Sequence, residues 1–364
     1  MSVAQQNDGP LVLSANQPVH LRPRSHKVNV AVVGLGLMGV THLKAYQQIE
    51  GVRIAAVADN SRRPVNGVLA GKSGNTGGAD AIHLGADVHV CDSFDEVLAD
   101  PNVDLVSLCV PTPLHAAQAI AALCVGKHVV CEKPLARSTS IARDIVAAAE
   151  VASGFLLPAM CMRFWPGWSW LKELVEQETY GKVLAARFRR VSAPPAWGRA
   201  TYFNGAESGG ALLDLHIHDT DFVQFLFGRP LSVFSTGQSR FSGAIDHVVT
   251  QYRVASGATV YAEGSWLLAE GFSMSYTVNF ERVTLDYDSS RGAEALTLRE
   301  HGKTARTVPL DASDGYLWEL RHMVQSIQAG KPPTVVTAAD GLQAIEICEA
   351  EEESVRSGRV VTLP

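Results

Sequence analysis

The stretch VNVAVVGLGLMGVTHLKAY, residues 28–46, decides the fold of this chain. A continuous apolar run leads into three glycines, Gly34, Gly36 and Gly39, and then into a segment whose apolar residues have helical spacing. Gly34 permits a tight turn, Gly36 lets the backbone approach a pyrophosphate, and Gly39 lets the helix pack closely against the strand. The N-terminus of the helix attracts phosphate groups. The stretch therefore predicts a strand, a turn that binds a dinucleotide, and a helix.

An acidic residue, Asp59, stands 20 residues after Gly39, at the end of the second apolar run (residues 52–58). In a dinucleotide-binding unit such a carboxylate accepts hydrogen bonds from the adenosine ribose and repels a 2′-phosphate. The sequence therefore favours NAD over NADP as the cofactor. Arg62 and Arg63 argue in the other direction, because either side chain could reach a 2′-phosphate if the loop folded toward it.

The alternation of apolar runs and helical stretches continues to about residue 160. The runs are continuous, as in strands that are buried on both faces, and they lie at residues 28–33, 52–58, 87–91, 104–110, 128–131 and 155–160. This βαβ repetition predicts a doubly wound parallel sheet, an α/β Rossmann domain, over residues 27–160. Residues 1–26 are polar and contain proline, so we expect them to form an N-terminal arm.

A different pattern begins after residue 160. Runs rich in β-branched and aromatic residues, many of them alternating, are separated by Gly, Asp and Ser turns. They predict a large, mostly antiparallel open sheet of about eight strands with unequal faces. Helices are expected near residues 168–179, 314–329 and 338–357, with the acidic run Glu349–Glu353 on a solvated face. Residues 161–364 should therefore form an α+β domain for substrate binding and oligomerisation.

Composition excludes several classes of protein. The chain has 364 residues, 46% of them hydrophobic, and a net charge of −6, which fits two globular domains. Its lysines and arginines are scattered, so we expect no nucleic-acid partner. No apolar run is long enough to span a membrane, and the first 26 residues lack a signal-peptide pattern, so we expect a cytoplasmic protein. The six cysteines show no CxxC spacing, which argues against zinc and disulfide frameworks.

Two polar segments follow the fourth and fifth strands, where the carboxyl ends of parallel strands form a ligand crevice. The first contains Pro111, Thr112 and His115, and the second contains Glu132 and Lys133. A lysine beside a cationic nicotinamide is under pressure to lose its proton. The residues predicted to contact the cofactor are Gly34, Gly36, Leu37, Met38, Gly39, Asp59, Arg63, Pro111, Thr112, His115, Glu132 and Lys133.

The segment GGALLDLHIHDTD, residues 209–221, carries a candidate base. On a helix Asp214 and His218 are four residues apart and share a face, so the carboxylate could orient and stabilise the imidazole. A rival interpretation takes His216 and His218 as a metal-binding pair on a strand. The helical spacing of the apolar residues that follow disfavours it, because residues two apart on a helix point in nearly opposite directions. We therefore expect no metal, and His216 is interpreted as a core residue or a neighbour of the site.

Three motifs in order now carry a family resemblance. The glycine pattern at residues 34–39, the Glu-Lys-Pro at residues 132–134 and the GG-x3-D-x3-H at residues 209–218 together resemble the Gfo/Idh/MocA oxidoreductases. The resemblance covers about residues 27–361. It implies a Rossmann domain followed by an α/β domain whose open sheet makes oligomer contacts, and we expect a homodimer or homotetramer.

The resemblance also implies an active site made of Lys133, Asp214 and His218. Two features depart from the family pattern. His216 occupies a place where a small residue is common, and residues 66–86 form a longer and more Gly-rich link than usual. The first could alter the substrate pocket, and the second could form a flap over the adenosine end.

The expected reaction is the reversible oxidation of a secondary hydroxyl of a sugar, glycoside or cyclitol, with hydride transfer to NAD. His218, held by Asp214, would take the hydroxyl proton, while Lys133 would hydrogen-bond the same oxygen. An NAD-dependent redox glycosidase and a non-catalytic NAD-binding regulator are the alternatives.

Carbohydrates need stacking surfaces and hydrogen-bond donors, and two Pro/Gly/aromatic segments of the second domain could supply both. Arg163 and Trp165 come from the first segment and Trp197 from the second. We predict that these three side chains contact the substrate together with the catalytic residues.

Overall fold

A computed structural model describes residues 27–74 and 77–364, so the predicted N-terminal arm lies outside the described residues. The first domain contains the helices α1 (Leu37–Gln47), α2 (Phe94–Ala99), α3 (His115–Cys124) and α4 (Thr139–Val151). Its strands are β1 (Val28–Val33), β2 (Val52–Ala58), β3 (Val68–Leu69), β4 (Lys72–Gly74), β5 (Gly77–Ala79), β6 (Ile82–His83), β7 (His89–Cys91), β8 (Leu105–Leu108), β9 (His128–Glu132) and β10 (Leu156–Ala159).

Six of these strands form the predicted parallel sheet, in the order β10-β9-β8-β1-β2-β7. The central strand β1 explains the continuous apolar runs, because Val30, Ala31 and Val32 are all fully buried. Strand order reverses around β1, with β2 on one side and β8 on the other. This is the position at which doubly wound sheets bind ligands beyond their carboxyl ends.

The Gly-rich link between β2 and β7 forms two short antiparallel pairs, β3 with β6 and β4 with β5. It lies against α1, where the side-chain amide of Gln47 donates to the carbonyl oxygen of His83 over 2.7 Å. Lys72 of this link reaches the cleft described below. The link is therefore a packed hairpin beside the cofactor-binding helix, and Lys72 is its contribution to the cleft.

The second domain contains the helices α5 (Trp168–Glu176), α6 (Arg199–Tyr202), α7 (Gly205–Ser208), α8 (Ile217–Phe227), α9 (Gly315–Ala329) and α10 (Ala338–Ser357). Its strands are β11 (Val183–Ser192), β12 (Ser232–Gln238), β13 (His247–Arg253), β14 (Thr259–Ser265), β15 (Phe272–Phe280), β16 (Val283–Asp288), β17 (Leu296–Glu300), β18 (Arg306–Thr307) and β19 (Val361–Thr362). They form one sheet in the order β18-β17-β16-β15-β11-β14-β13-β12-β19, in which only β11 and β14 pair in parallel. The predicted large, mostly antiparallel sheet is confirmed, and it has nine strands.

The two faces of this sheet differ as the alternating pattern predicts. One face is buried under helices, where Trp168 of α5 is fully buried and packs edge-to-face against Phe222 and Tyr276. The opposite face carries Phe234 and Tyr261, which are 39% and 38% exposed. The late helices also complete the core of the first domain, because α9 packs on α1 and α10 packs on α4.

The expectation that the acidic run Glu349–Glu353 is solvated is wrong for Glu351, which is fully buried. The hydroxyl of Thr220 donates to its carboxylate over 3.1 Å, and Nε2 of His216 lies 3.5 Å from it. Nε2 of His216 also lies 3.1 Å from the hydroxyl of Tyr252. His216 is therefore a core residue that joins α8 and α10 to the sheet. Of the helices that the structure describes, none is long and apolar enough to cross a membrane.

Candidate active site

A cleft of about 960 Å³ runs along the carboxyl ends of the parallel strands and is closed by residues of the second domain. It brings together most of the residues predicted from the sequence: Gly34, Gly36, Leu37, Met38, Asp59, Pro111, Thr112, Glu132, Lys133, Trp165, Trp197, Asp214 and His218. Four other predicted residues, all within the described part of the chain, lie outside the lining of the cleft: Gly39, Arg63, His115 and Arg163.

The glycine turn has the geometry that a dinucleotide requires. Gly34 has a φ of +87°, and a Cβ there would lie 2.5 Å from the carbonyl oxygen of Cys109. A Cβ on Gly39 would lie 1.9 Å from the carbonyl oxygen of Gly34, so this glycine serves the packing of α1 against the turn. Around Gly36 there is open space on the side of the missing Cβ, and Gly36, the N-cap residue of α1, supplies no side-chain hydrogen bond to its first turn. The turn therefore leaves room and backbone donors for a pyrophosphate.

Asp59 lies at the edge of the cleft and is held by backbone donors. Its carboxylate accepts hydrogen bonds from the amides of Leu35, Ser61 and Arg62 over 2.6, 2.7 and 2.8 Å. Burial alone would raise the pKa of Asp59, but these hydrogen bonds lower it below the usual value. The side chain is therefore an anion at neutral pH, as a group that excludes a 2′-phosphate must be.

The contact of Arg63 with the cofactor stays a prediction. Its guanidinium pairs with the carboxylate of Asp92, which lines the cleft, while Arg63 itself lies outside the lining. Arg62 lines the cleft instead, and its guanidinium donates to the carbonyl oxygens of Leu35 and Ala70. The loop thus directs Arg62 toward the glycine turn and Arg63 toward the carboxylate of Asp92.

His115 also has a different role from the predicted one. It is 1% exposed, with Nδ1 at 2.8 Å from the carbonyl oxygen of Pro134 and Nε2 at 2.9 Å from that of Val110. Burial lowers the pKa of His115, and a neutral imidazole donates to one of these two carbonyls at a time. His115 therefore holds the loops after β8 and β9 in position, and it lies outside the lining of the cleft.

Glu132 is a buried carboxylate at the floor of the cleft. Its Oε1 lies 3.1 Å from Nε2 of His42, and its Oε2 accepts from the amide of Lys133 over 3.1 Å. Burial alone would raise the pKa of Glu132, but the hydrogen bond and charge of His42 lower it. This network fixes the backbone from which Lys133 extends.

Lys133 spans the cleft between the two domains. Its ammonium donates to the Asp214 carboxylate over 2.8 Å and to the Asp214 carbonyl oxygen over 2.6 Å. Both side chains are partly accessible, at 17% and 19% of their area. The structure thus places a cation and its counter-ion together at the end of β9, facing the open volume of the cleft.

His218 faces the same volume from the first turn of α8. Its Nδ1 is buried and finds no hydrogen-bond partner among the described residues. Burial, together with the positive charges of Lys133 and Arg190, lowers the pKa of His218 well below its usual value. The imidazole is therefore neutral near pH 7 and able to accept a proton.

The predicted pairing of Asp214 with His218 is not what the structure shows. Residues Leu212–His216 form a π-helical turn, and α8 begins only after it. Such a turn is wider than an α-helical one, so side chains four residues apart no longer lie one above the other. No hydrogen bond joins the two side chains, both of which the structure describes, and the carboxylate is bonded to Lys133.

Arg163 lies outside the lining of the cleft and is held by a buried ion pair. It is 4% exposed, and Nε and Nη2 donate to the Asp221 carboxylate over 2.9 and 2.6 Å. Nη1 donates to the carbonyl oxygen of Val335 over 2.9 Å. The residue therefore ties α8 to the chain before α10, beneath the cleft.

Arg190 lines the cleft and was missed by the sequence reasoning. Its Nε donates to Asp219 over 3.0 Å, next to His218 in the chain. The signal was available in the alternation of β11, where Ala186, Phe188 and Arg190 face the same side of the sheet and are buried. An arginine at an inward position of a strand needs an acidic partner, and Asp219 supplies it.

The fold and the cleft define an NAD-binding oxidoreductase with a Rossmann fold. The defining features are a glycine turn at the first strand of a parallel sheet, an ionised aspartate after the second strand, and a lysine and a histidine that face the same cleft. The family model for an oxidoreductase family with an NAD-binding Rossmann fold matches residues 28–158, and that for the GFO/IDH/MocA C-terminal domain matches residues 168–286. The chain belongs to the Gfo/Idh/MocA family of oxidoreductases.

Relatives of known activity match nearly the whole chain. Myo-inositol 2-dehydrogenase of Thermotoga maritima is 27% identical over 92% of this chain and 98% of its own length. The scyllo-inositol 2-dehydrogenase (NAD(+)) of Bacillus subtilis is 26% identical over 93% of this chain and 97% of its own length. A solved structure of levoglucosan dehydrogenase in complex with NADH and levoglucosan superimposes with a TM-score of 0.78 at 20% identity, covering 93% of this chain and 100% of that one. This last likeness shows the fold.

Proposed function

We propose that the protein is an NAD-dependent dehydrogenase that reversibly oxidises a secondary hydroxyl of a sugar, glycoside or cyclitol. The observation that carries the proposal is the meeting of Lys133, paired with Asp214, and a neutral His218 at one cleft. The names of the two inositol dehydrogenases, which match over nearly their full length, support a polyhydroxylated substrate.

The chemistry divides between the cofactor and the protein. NAD⁺, when bound, accepts a hydride from the carbinol carbon. His218 accepts the proton of the hydroxyl group through its cleft-facing side, because its lowered pKa keeps it neutral. Lys133 donates a hydrogen bond to the same oxygen as negative charge develops there, and the Asp214 carboxylate holds the Lys133 ammonium in place.

The test is the formation of NADH, followed by its absorbance, on a panel of monosaccharides, glycosides and inositols. Net NADH production with an intact glycoside supports the proposal. Cleavage of a glycosidic bond without net NADH would identify a redox glycosidase. Absence of turnover over the whole panel, with NAD still bound, would identify a non-catalytic NAD-binding regulator. A Lys133→Met variant controls for contaminating dehydrogenases, because it should bind NAD and fail to turn over.

We also propose that the chain forms a homodimer or homotetramer through the open face of the nine-stranded sheet. This face exposes large apolar side chains, among them Phe234 and Tyr261. Burial of such a face against a second copy removes apolar area from water. Light scattering at micromolar concentration should give a mass at least twice that of the chain, and a monomer would refute the proposal.

A further inference from the structure

The part of the cleft contributed by the second domain is lined by aromatic rings, which we call the aromatic wall. Trp197, Tyr202 and Trp266 form an edge-to-face series, with ring centroids 5.1 Å apart for the first pair and 6.2 Å apart for the second. Trp165 and Tyr316 form a second edge-to-face pair, 5.6 Å apart. Five aromatic side chains that line one volume are more than a sugar ring needs for stacking.

The aromatic wall lies at the catalytic end of the cleft. Tyr202 and Asp214 line the same cleft, and burial, with the charge of Asp214, raises the pKa of Tyr202. Trp266 directly follows β14, which pairs in parallel with the strand that carries Arg190. Met274 lies opposite Arg190 in the register of the sheet, with its Sδ 3.3 Å from Nη1 of the arginine. The wall therefore lines the same cleft as Arg190 and His218.

Several polar groups in this part of the cleft already have partners. Arg190 donates from Nε and Nη2 to Asp219 over 3.0 and 3.2 Å. The hydroxyl of Ser208 donates to the carbonyl oxygen of Tyr202 over 2.9 Å, and that of Ser289 accepts from a backbone amide over 3.0 Å. Because these groups are engaged within the protein, they offer a hydroxylated ring fewer hydrogen bonds than water does.

We propose that the substrate is a glycoside with an aromatic aglycone, whose sugar ring presents a secondary hydroxyl to Lys133 and His218 and whose aglycone packs on the aromatic wall. Aromatic rings prefer edge-to-face and offset contacts, and the two series of rings offer such contacts on more than one side. This inference rests on the proposed dehydrogenase function, and it narrows the substrate class.

The experiment compares matched substrates with the full chain and NAD. Initial rates of NADH formation are measured with the phenyl and methyl β-D-glucosides, galactosides and xylosides, and with myo-inositol. The value of kcat/KM should be about 10- to 100-fold higher for the best phenyl glycoside than for its methyl partner or for myo-inositol. Of these compounds only the phenyl glycoside has an aromatic ring that leaves water when it packs on the wall. Equal or higher values for the methyl glycosides or for myo-inositol would overturn the inference.

Variants at the wall separate aglycone binding from catalysis. Trp197 is 40% exposed, so Trp197→Leu should fold, and it should lower the ratio of phenyl to methyl kcat/KM severalfold. The matched control is Trp170→Leu, on α5 and outside the cleft, which should leave the ratio unchanged. An unchanged ratio in Trp197→Leu would contradict the placement of the aglycone. If none of these substrates yields NADH, the dehydrogenase function itself fails; if all react without preference, only the inference fails.

Discussion

Replacing Asp214 with asparagine tests which residue its carboxylate serves. The carboxylate lies 2.8 Å from Nζ of Lys133, and both side chains are largely buried. A hydrogen bond to a charged group contributes about 1.5–3 kcal/mol, and Lys133 keeps its bond to the Asp214 carbonyl oxygen, which the substitution does not remove. Because about 1.4 kcal/mol corresponds to a tenfold change, we expect kcat/KM for oxidation to fall about 10- to 100-fold.

The assay is a double-mutant cycle with Lys133→Met and, separately, with His218→Ala. Each single variant of these two should lose a factor of about 100 or more. If Asp214 acts through the lysine, Asp214→Asn should lower kcat/KM little further in the Lys133→Met background. In the His218→Ala background it should lower kcat/KM by the same factor as in the wild type. The NAD dissociation constant of each variant, which should stay within a few-fold of the wild-type value, controls for loss of the fold or of the cofactor site.

The opposite pattern would refute this reasoning. Asp214→Asn would then lower kcat/KM by its full factor in the Lys133→Met background and not at all in the His218→Ala background. In that case the carboxylate acts on the imidazole, as the spacing of four residues in the sequence suggested. The structural pairing of Asp214 with Lys133 would then not describe the active enzyme.

Three further predictions follow from the pKa shifts and ion pairs. The value of kcat/KM for oxidation should rise with pH below 6.5 and then level off. Burial and two neighbouring cations lower the pKa of His218, and only the neutral imidazole accepts a proton. A rise of kcat/KM centred above pH 6.5 would contradict this prediction. Asp59→Ser should narrow the gap between the NAD and NADP dissociation constants, and tighter NADP binding by the wild type would refute the assignment. Arg163→Met should lower the free energy of unfolding by about 3–5 kcal/mol in denaturant titrations, because Asp221 loses its buried partner, without changing KM.

The sequence specified the first domain in detail because its signals are local. The glycines at residues 34–39 are required by turn and packing geometry, and a Cβ at Gly34 or Gly39 would collide with backbone. The continuous apolar runs correspond to strands buried on both faces, such as β1. Strand order and the position of the crevice then follow from the rules of doubly wound sheets.

Errors arose where partners come from distant parts of the chain. Arg163 and Arg190 are both inward-facing arginines, but their partners Asp221 and Asp219 lie on α8. Only the fold shows that Arg190 lines the cleft and that Arg163 does not. Glu351 was misplaced for the same reason, since its burial depends on the approach of α10 to α8.

The partner of Asp214 could not be predicted because the sequence did not reveal the type of helix that forms at this place. A spacing of four residues implies a shared face only on a regular α-helix, whereas the chain forms a π-helical turn at Leu212–His216. The competing partner, Lys133, is 81 residues away in the sequence and meets Asp214 only after the two domains have come together.

The most direct test of the account is the turnover of His218→Ala on the best substrate of the panel. We expect a fall by a factor of about 100 or more, with the NAD dissociation constant within a few-fold of the wild-type value, because the variant loses the proton acceptor and keeps the cofactor site. Near-normal turnover with an unchanged pH profile would contradict the assignment of His218 as the base and would leave Lys133 as the next candidate.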